Sequence, residues 1–173
     1  MVGLPGAGKT TLARELARSR GALRLTPDEW HRPLLGESLD GGGRRDVLEG
    51  RLITVALRVL QLGTGVVLDF GLWSRDERSA LRRLAGEVGA SCRVVHLPVA
   101  PDVQLARIAQ RWASAPHENF PMPAADVAAW RERFEAPGPD ELAGADVPGP
   151  PPGWSTWLAW ARERWPTLEV GTT

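Results

Sequence analysis

Lysine is nearly absent from this 173-residue chain: of 21 basic residues, all but Lys9 are arginine. Cysteine is equally scarce, with Cys92 alone, and tyrosine is missing. A single cysteine excludes an internal disulfide framework. No apolar run reaches membrane length, and no secretory leader pattern is evident. These absences set the expectation of a cytoplasmic protein that engages no membrane. Acidic residues also number 21, so formal net charge is zero. That balance disfavours a long polynucleotide as partner, although a local arginine patch remains open. With no second lysine, a guanine-specifying N-K-x-D motif is impossible, which disfavours an ordinary GTPase. The length suits one domain over residues 1–173, too short for a two-domain AAA+ motor. A chain of this size can bury roughly 70% of its extended surface without staples.

What is present is concentrated at the amino end. Gly3-Leu4-Pro5-Gly6-Ala7-Gly8-Lys9-Thr10 fits the phosphate-binding pattern G-x-x-x-x-G-K-[ST] at every fixed position. Glycines let the backbone turn successive N–H groups toward phosphate oxygens. Lysine supplies a compact point charge for β- and γ-phosphates, a task the planar arginine fork suits less well. Residues 10–18 read as an amphipathic helix with Leu12, Ala13 and Leu16 on one face, so a helix N-terminus adds its dipole to the site. The expected nucleotide contacts are Gly3, Pro5, Gly6, Ala7, Gly8, Lys9, Thr10 and Thr11. The Thr10 hydroxyl is placed to hold Mg²⁺. Only Met1 and Val2 precede the loop, where a buried strand of five or six residues is expected, so the first strand is truncated.

Strand and helix signals then alternate, as in a parallel sheet with crossover helices. Residues 22–25 read as a strand. Thr26-Pro27-Asp28-Glu29 reads as a helix start, with Thr26 as cap and Glu29 closing a capping box. Gly41-Gly42-Gly43 is a break. Asp46–Leu62 is an amphipathic helix carrying Val47, Leu48, Leu52, Val55, Ala56, Val59 and Leu60 on its apolar face. Val66–Asp69 is a strand, Ser74–Glu77 opens a helix to Val88 through a capping box, and Arg93–Leu97 is a further strand. Residues 101–115 and 124–134 are helical, with a loop at 116–123. Together, residues 101–135 form an arginine-bearing lid. Residues 136–153 are Pro/Gly-rich and irregular, and 154–165 form the last helix with Trp154, Trp157 and Trp160 as its buried stripe.

Several side chains in this framework can carry chemistry. Asp69 ends a strand at the carboxyl edge of the sheet, where open α/β folds bind ligands; it fits Mg²⁺ or a substrate contact, or a turn cap. Asp28 lies at the same edge. It fits a carboxylate that orients a hydroxyl and accepts its proton, or a first-turn acid facing a helix dipole. Arg107 and Arg111, four apart, share one helix face and can close on phosphates, or form a solvated face. Arg32 and Arg75 are further substrate-side candidates. Trp112 and Trp130 are candidates to stack on a ring. The three histidines show no metal-ligand spacing.

Taken together, Gly3–Thr11, Thr26–Trp30, Val67–Arg75, the arginine helix, Asn119-Phe120-Pro121, Trp130 and Arg133–Pro137 resemble the small P-loop kinases of the AAA-domain type. Relatives of that group include polynucleotide kinase, zeta-toxin and chloramphenicol phosphotransferase families. The resemblance implies a three-layer, nucleoside-kinase-like P-loop NTPase fold with a mostly parallel sheet. It implies a phosphotransferase using ATP and Mg²⁺, with Lys9 and Thr10 serving ATP and Mg²⁺, Asp28 engaging the acceptor hydroxyl and Arg107 or Arg111 as the lid arginine. With the residue-level reading added, Lys9, Asp28, Arg107 and Arg111 are the expected catalytic residues, Thr10 and Asp69 the metal residues, and Asp28, Arg32, Asp69 and Arg75 the substrate residues. The expected acceptor is a hydroxyl of a small molecule, antibiotic-like or nucleoside-like. A kinase for a nucleic-acid 5′-hydroxyl or a nucleotide-sugar is the alternative, and an ATP-binding switch with weak ATPase activity is a third reading. In polynucleotide kinases an arginine follows the acceptor aspartate by three residues; here that position is His31, and Arg32 comes next.

Overall fold

The computed structural model describes residues 1–35, 43–115 and 121–171, without the side chains of residues 32 and 35. Its elements are α1 (Lys9–Arg20), β1 (Leu23–Leu25), α2 (Pro27–Leu35), α3 (Arg44–Gln61), β2 (Val66–Leu68), α4 (Arg75–Glu87), α5 (Pro101–Ser114), α6 (Ala124–Arg133), α7 (Pro139–Ala143) and α8 (Trp157–Arg164). No helix among the described residues is long and apolar enough to cross a membrane.

β1 and β2 pair in parallel, with Leu23 opposite Val66 and Leu25 opposite Leu68. Val2 extends this sheet by parallel bridges to Gly71 on one side and His96 on the other. The spatial order is therefore β1, β2, Val2, His96: second, third, first and fourth in the chain. The first sheet segment is this one doubly bridged residue. The strand expected at Arg93–Leu97 is a single bridge at His96. Both α1 and α3 pack on β1 and β2. Parallel strands require such cover because neither face can meet water.

The core lies between the sheet, α3, α4 and α8. Leu25, Leu52, Ile53, Leu81, Leu84 and Trp165 are buried together there. The apolar stripe of α3 is rotated from the expected one: Ile53 and Leu57 are buried, whereas Val47 and Val55 are largely exposed. The C-terminal tail explains the rotation. A Cβ on Gly50 would lie 2.6 Å from Thr167 Oγ1, so the chain after α8 crosses α3 directly over that glycine. On α8 the deepest tryptophan is Trp165 rather than Trp154, which precedes the helix and is half-buried. Trp157, Trp160 and Trp165 stack edge-on in series, with centroids 5.8 and 5.9 Å apart. Each such pair adds about 0.5–1.5 kcal/mol beyond area burial.

The capping box at Ser74 is present: its hydroxyl accepts from Glu77 N–H, and the Glu77 carboxylate accepts from Ser74 N–H. Residues 136–153 are less irregular than expected, since they contain α7. That short helix is tied to α4 by a buried ion pair. Arg78 donates Nε to Glu141 Oε1 at 2.7 Å and Nη2 to Oε2 at 3.0 Å. Its Nη1 donates to the carbonyls of Leu72, Trp73 and Glu135. Burial alone would raise the Glu141 carboxyl, but Arg78 and the Gly138 N–H outweigh it and hold it below the ordinary range.

Breaking that pair leaves a charge buried without compensation, so Glu141→Gln is expected to lower the unfolding free energy by about 3–5 kcal/mol in urea titration. A carboxyl whose folded pKa is depressed contributes stability above its unfolded pKa and loses it as pH falls through the folded value. The urea midpoints of wild type and Glu141→Gln should therefore converge on acidification. A gap that persists in acid would contradict this account of the pair.

Candidate active site

The loop preceding α1 has the conformation its glycines predict. Gly3, Gly6 and Gly8 all take positive φ, at 146°, 81° and 92°. At Gly3 space also matters, because a Cβ there would sit 2.7 Å from Leu97 O. That close approach lets Val2 pair with the 95–97 segment, Val2 N–H donating to Val95 O and Leu97 N–H donating to Val2 O, while Gly3 N–H donates to Gly71 O on the other side. Gly8 caps α1, so the helix begins at Lys9 with its N–H groups facing the loop.

The carbonyls of the loop are held from behind. Lys9 Nζ donates to Leu4 O at 3.0 Å. Gln104, fully buried in α5, donates to Pro5 O at 3.0 Å and accepts from Arg131 of α6 at 2.6 Å. Arg107 Nη1 donates to Gly6 O at 3.2 Å. Burial pushes the Lys9 ammonium pKa down, and Asp69 and Asp28 offset this in part.

In front of the loop lies a cavity of about 1680 Å³. It brings together most of the residues the sequence nominated. Pro5, Gly6, Gly8, Lys9, Thr10 and Thr11 form one wall; Asp28, Asp69, Arg107 and Arg111 lie on the others. Gly3 and Ala7 are buried behind this wall and serve the loop's packing. Arg75 is not brought to the cavity: it pairs with Asp140 at 2.5 Å on the outside of α4. The Arg32 side chain, like Asn119, Phe120 and His117, lies outside the described residues. Trp112 does not line the cavity, whereas Trp130 does and meets Trp73 with ring centroids 6.1 Å apart.

The carboxylates of the cavity are bridged by arginines that sequence reasoning did not single out. Arg24 of β1 donates to Asp69 Oδ2 at 3.2 Å and also pairs with Glu29. Arg14 of α1 reaches the same Glu29. Glu29 is thus drawn into ion pairs, away from the capping box expected of it. Burial raises its carboxyl, but these guanidinia outweigh that and keep its pKa below the ordinary value. Arg45 of α3 donates to Asp28 Oδ1 at 2.9 Å and to Glu49 Oε1 at 2.9 Å. Arg164 of α8 pairs with Asp46 at 2.5 Å and Glu77 at 2.7 Å. Alternation along β1 was the available signal for Arg24: with Leu25 in the core, Arg24 faces the other way. Nothing local marks Arg45 or Arg164.

As a donor set, the Thr10 hydroxyl and the Asp69 carboxylate fit Mg²⁺, which takes one or two protein oxygens and completes its shell with phosphates and water. No cluster of three or more His, Cys, Asp or Glu among the described residues could hold a metal by itself.

A family model described as AAA domain matches residues 1–137. Among solved structures, the chain is similar to a kinase candidate from Chloroflexus aurantiacus, at TM-score 0.63 and 21% identity. That match covers 97% of this chain and 96% of the other. At this identity it shows the fold, which is the α/β P-loop fold. No curated protein matches the chain. α7 and α8 lie beyond the matched residues, yet α8 supplies Arg164 to the cavity.

Substituting Gly3 by alanine should strain the loop by about 1–3 kcal/mol through its backbone conformation alone. The collision with Leu97 O adds to that cost. We expect a lower melting temperature and weaker nucleotide binding together; unchanged melting would contradict the close approach.

Proposed function

The chain belongs to the AAA domain family, and from that premise we propose that it is a phosphotransferase moving the γ-phosphoryl group of ATP to a hydroxyl of a small molecule. One observation carries the reading: a glycine-wrapped loop at a helix N-terminus shares one cavity with a carboxylate, Asp28, and two helix-borne guanidinia, Arg107 and Arg111. Phosphoryl transfer asks for that combination of positioning and charge neutralisation.

Loop amides, the α1 dipole and Lys9 bind the β- and γ-phosphates. Phosphate contact gives the Lys9 ammonium a stronger acceptor than the Leu4 carbonyl it now holds. Arg107 and Arg111 neutralise charge on the transferring group, Arg107 leaving Gly6 O to do so. Asp28 orients the acceptor hydroxyl and takes its proton as the new O–P bond forms and the bond to the β,γ-bridging oxygen breaks, releasing ADP. Thr10 and Asp69 would hold Mg²⁺, which when bound would neutralise phosphate charge. The aromatic pair Trp73–Trp130 in the cavity wall favours an acceptor with a planar or apolar face, antibiotic-like or nucleoside-like. Zero net charge and the inward-paired arginines weigh against a long polynucleotide. The place of action under this reading is the cytoplasm.

A screen of hydroxyl compounds by mass spectrometry, with ATP as donor, tests the reading. Removing one preorganised stabiliser costs about 2.7–4 kcal/mol. Lys9→Ala should therefore lower turnover at least ~100-fold. Asp28→Asn should cripple transfer while leaving calorimetric MgATP affinity close to wild type. Near-normal transfer by Lys9→Ala would sink the donor site, and equal loss of transfer and ATP binding in Asp28→Asn would sink the acceptor role.

A further inference from the structure

Asp28 is the most exposed of the cavity's paired carboxylates, with 72% of its side chain accessible. An aspartate so placed samples several rotamers, and a single exposed ion pair is too weak to stop it. The partner of Asp28, however, is not itself free to move. Arg45 uses Nη1 for Asp28 and Nε for Glu49, both at 2.9 Å, so the two edges of its fork are occupied at once. Glu49 is almost fully buried, with 7% of its side chain accessible. Its other oxygen accepts from the indole Nε1 of Trp165 at 3.0 Å, and Trp165 is wholly inside the core. A continuous series thus runs from the core to the cavity: Trp165 N–H, Glu49 carboxylate, Arg45 guanidinium, Asp28 carboxylate.

Arg45 and Glu49 are an i,i+4 pair on α3, yet two features of the series are costly in themselves. Arg45 sits in the first turn of α3, where the helix dipole disfavours a cation. Glu49 places a nearly buried carboxylate between the core indole of Trp165 and the cavity guanidinia of Arg45 and Arg164, where a neutral acceptor would satisfy the indole at lower desolvation cost. Burial pushes its pKa up despite Arg45 and Arg164. Both oddities are accounted for if the pair exists to present a fixed guanidinium to the cavity.

We propose that Arg45 is a positioning residue for the acceptor reaction: held by Glu49, which Trp165 at the C-terminal end of α8 anchors, it fixes the Asp28 carboxylate in one orientation toward the acceptor hydroxyl. The proposal rests on the reading of Asp28 as the acceptor carboxylate. The arrangement follows the general logic in which a base is oriented by a second group and that group by a third. It also gives α8, which lies beyond the family-matched residues, a role at the acceptor end of the cavity.

The test needs no identified acceptor. On the full chain, three-bond couplings to the Asp28 carboxyl carbon report its rotamer. The rate of MgATP hydrolysis reports reaction with water in the acceptor's place. Wild type should show one dominant Asp28 rotamer. Arg45→Met should average it and lower kcat for hydrolysis roughly tenfold or more, while KM for ATP stays within about twofold. Trp165→Phe keeps an aromatic ring in the core but deletes the indole N–H along with part of the ring volume, and should produce the same changes more weakly. Arg45→Lys can reach one carboxylate at a time and should fall between. The Arg45→Met/Trp165→Phe double variant should lose less than the sum of its singles, because both act on one series. If Arg45→Met fails to fold, the Lys and Phe variants carry the test. A single Asp28 rotamer in a folded Arg45 variant, or a KM for ATP that rises in step with the fall in kcat, overturns the proposal. Absence of MgATP uptake by the wild type would instead sink the phosphotransferase reading, and the Asp28 couplings would then decide the role of Arg45 alone.

Discussion

Val2 is the residue on which the geometry of this protein turns. It is bridged to Gly71 on one side and His96 on the other, and nothing longer joins β2 to the fourth sheet segment there. That double pairing brings Leu97 O so close to Gly3 that no side chain fits between them. The loop therefore emerges from the middle of the sheet at its carboxyl edge, with β2 and Asp69 on one side and the chain leading to α5 on the other. Open α/β folds put their ligands at such a reversal of strand order. The loop at this reversal is backed by Gln104, Arg107 and Arg131 through hydrogen bonds to its carbonyls and to one another.

The scarcity of lysine has a structural counterpart. Arg24 joins Asp69 to Glu29, Arg45 joins Asp28 to Glu49, and Arg164 joins Asp46 to Glu77. Arg78 holds Glu141 with two nitrogens and three carbonyls with the third. Each of these jobs needs a planar group donating in fixed directions to separate partners, which an ammonium does poorly. Lys9 differs: its ammonium is a compact point charge that holds the single carbonyl of Leu4. The arginines tie the walls of the cavity together, and the lysine lies on the wall that the loop forms.

Much of this was legible along the chain. The phosphate loop, the helix it opens, the capping box at Ser74 and the helical spacing of Arg107 and Arg111 all depend on contacts within a few residues. Their pattern survives in the linear order. The misreadings share a cause. Glu29 has capping-box spacing, but Arg24 and Arg14 reach it from other elements and a charged partner outweighs a helix cap. Arg75 follows Asp69 closely, yet a helix cap at Ser74 turns it outward to Asp140. α3 has a periodic stripe, but the tail crossing at Gly50 selects which side of it is covered.

The linear order of residues was enough to establish a nucleotide-type loop, a parallel α/β arrangement and the two acidic positions at its edge, because turn chemistry and periodicity are local properties. Which arginine serves which carboxylate was settled only by folding. Arg45 stands 17 residues from Asp28, and Trp165 stands 116 from Glu49. Long side chains meet across such gaps only when helices have packed, and no spacing in the sequence records where that packing leaves them.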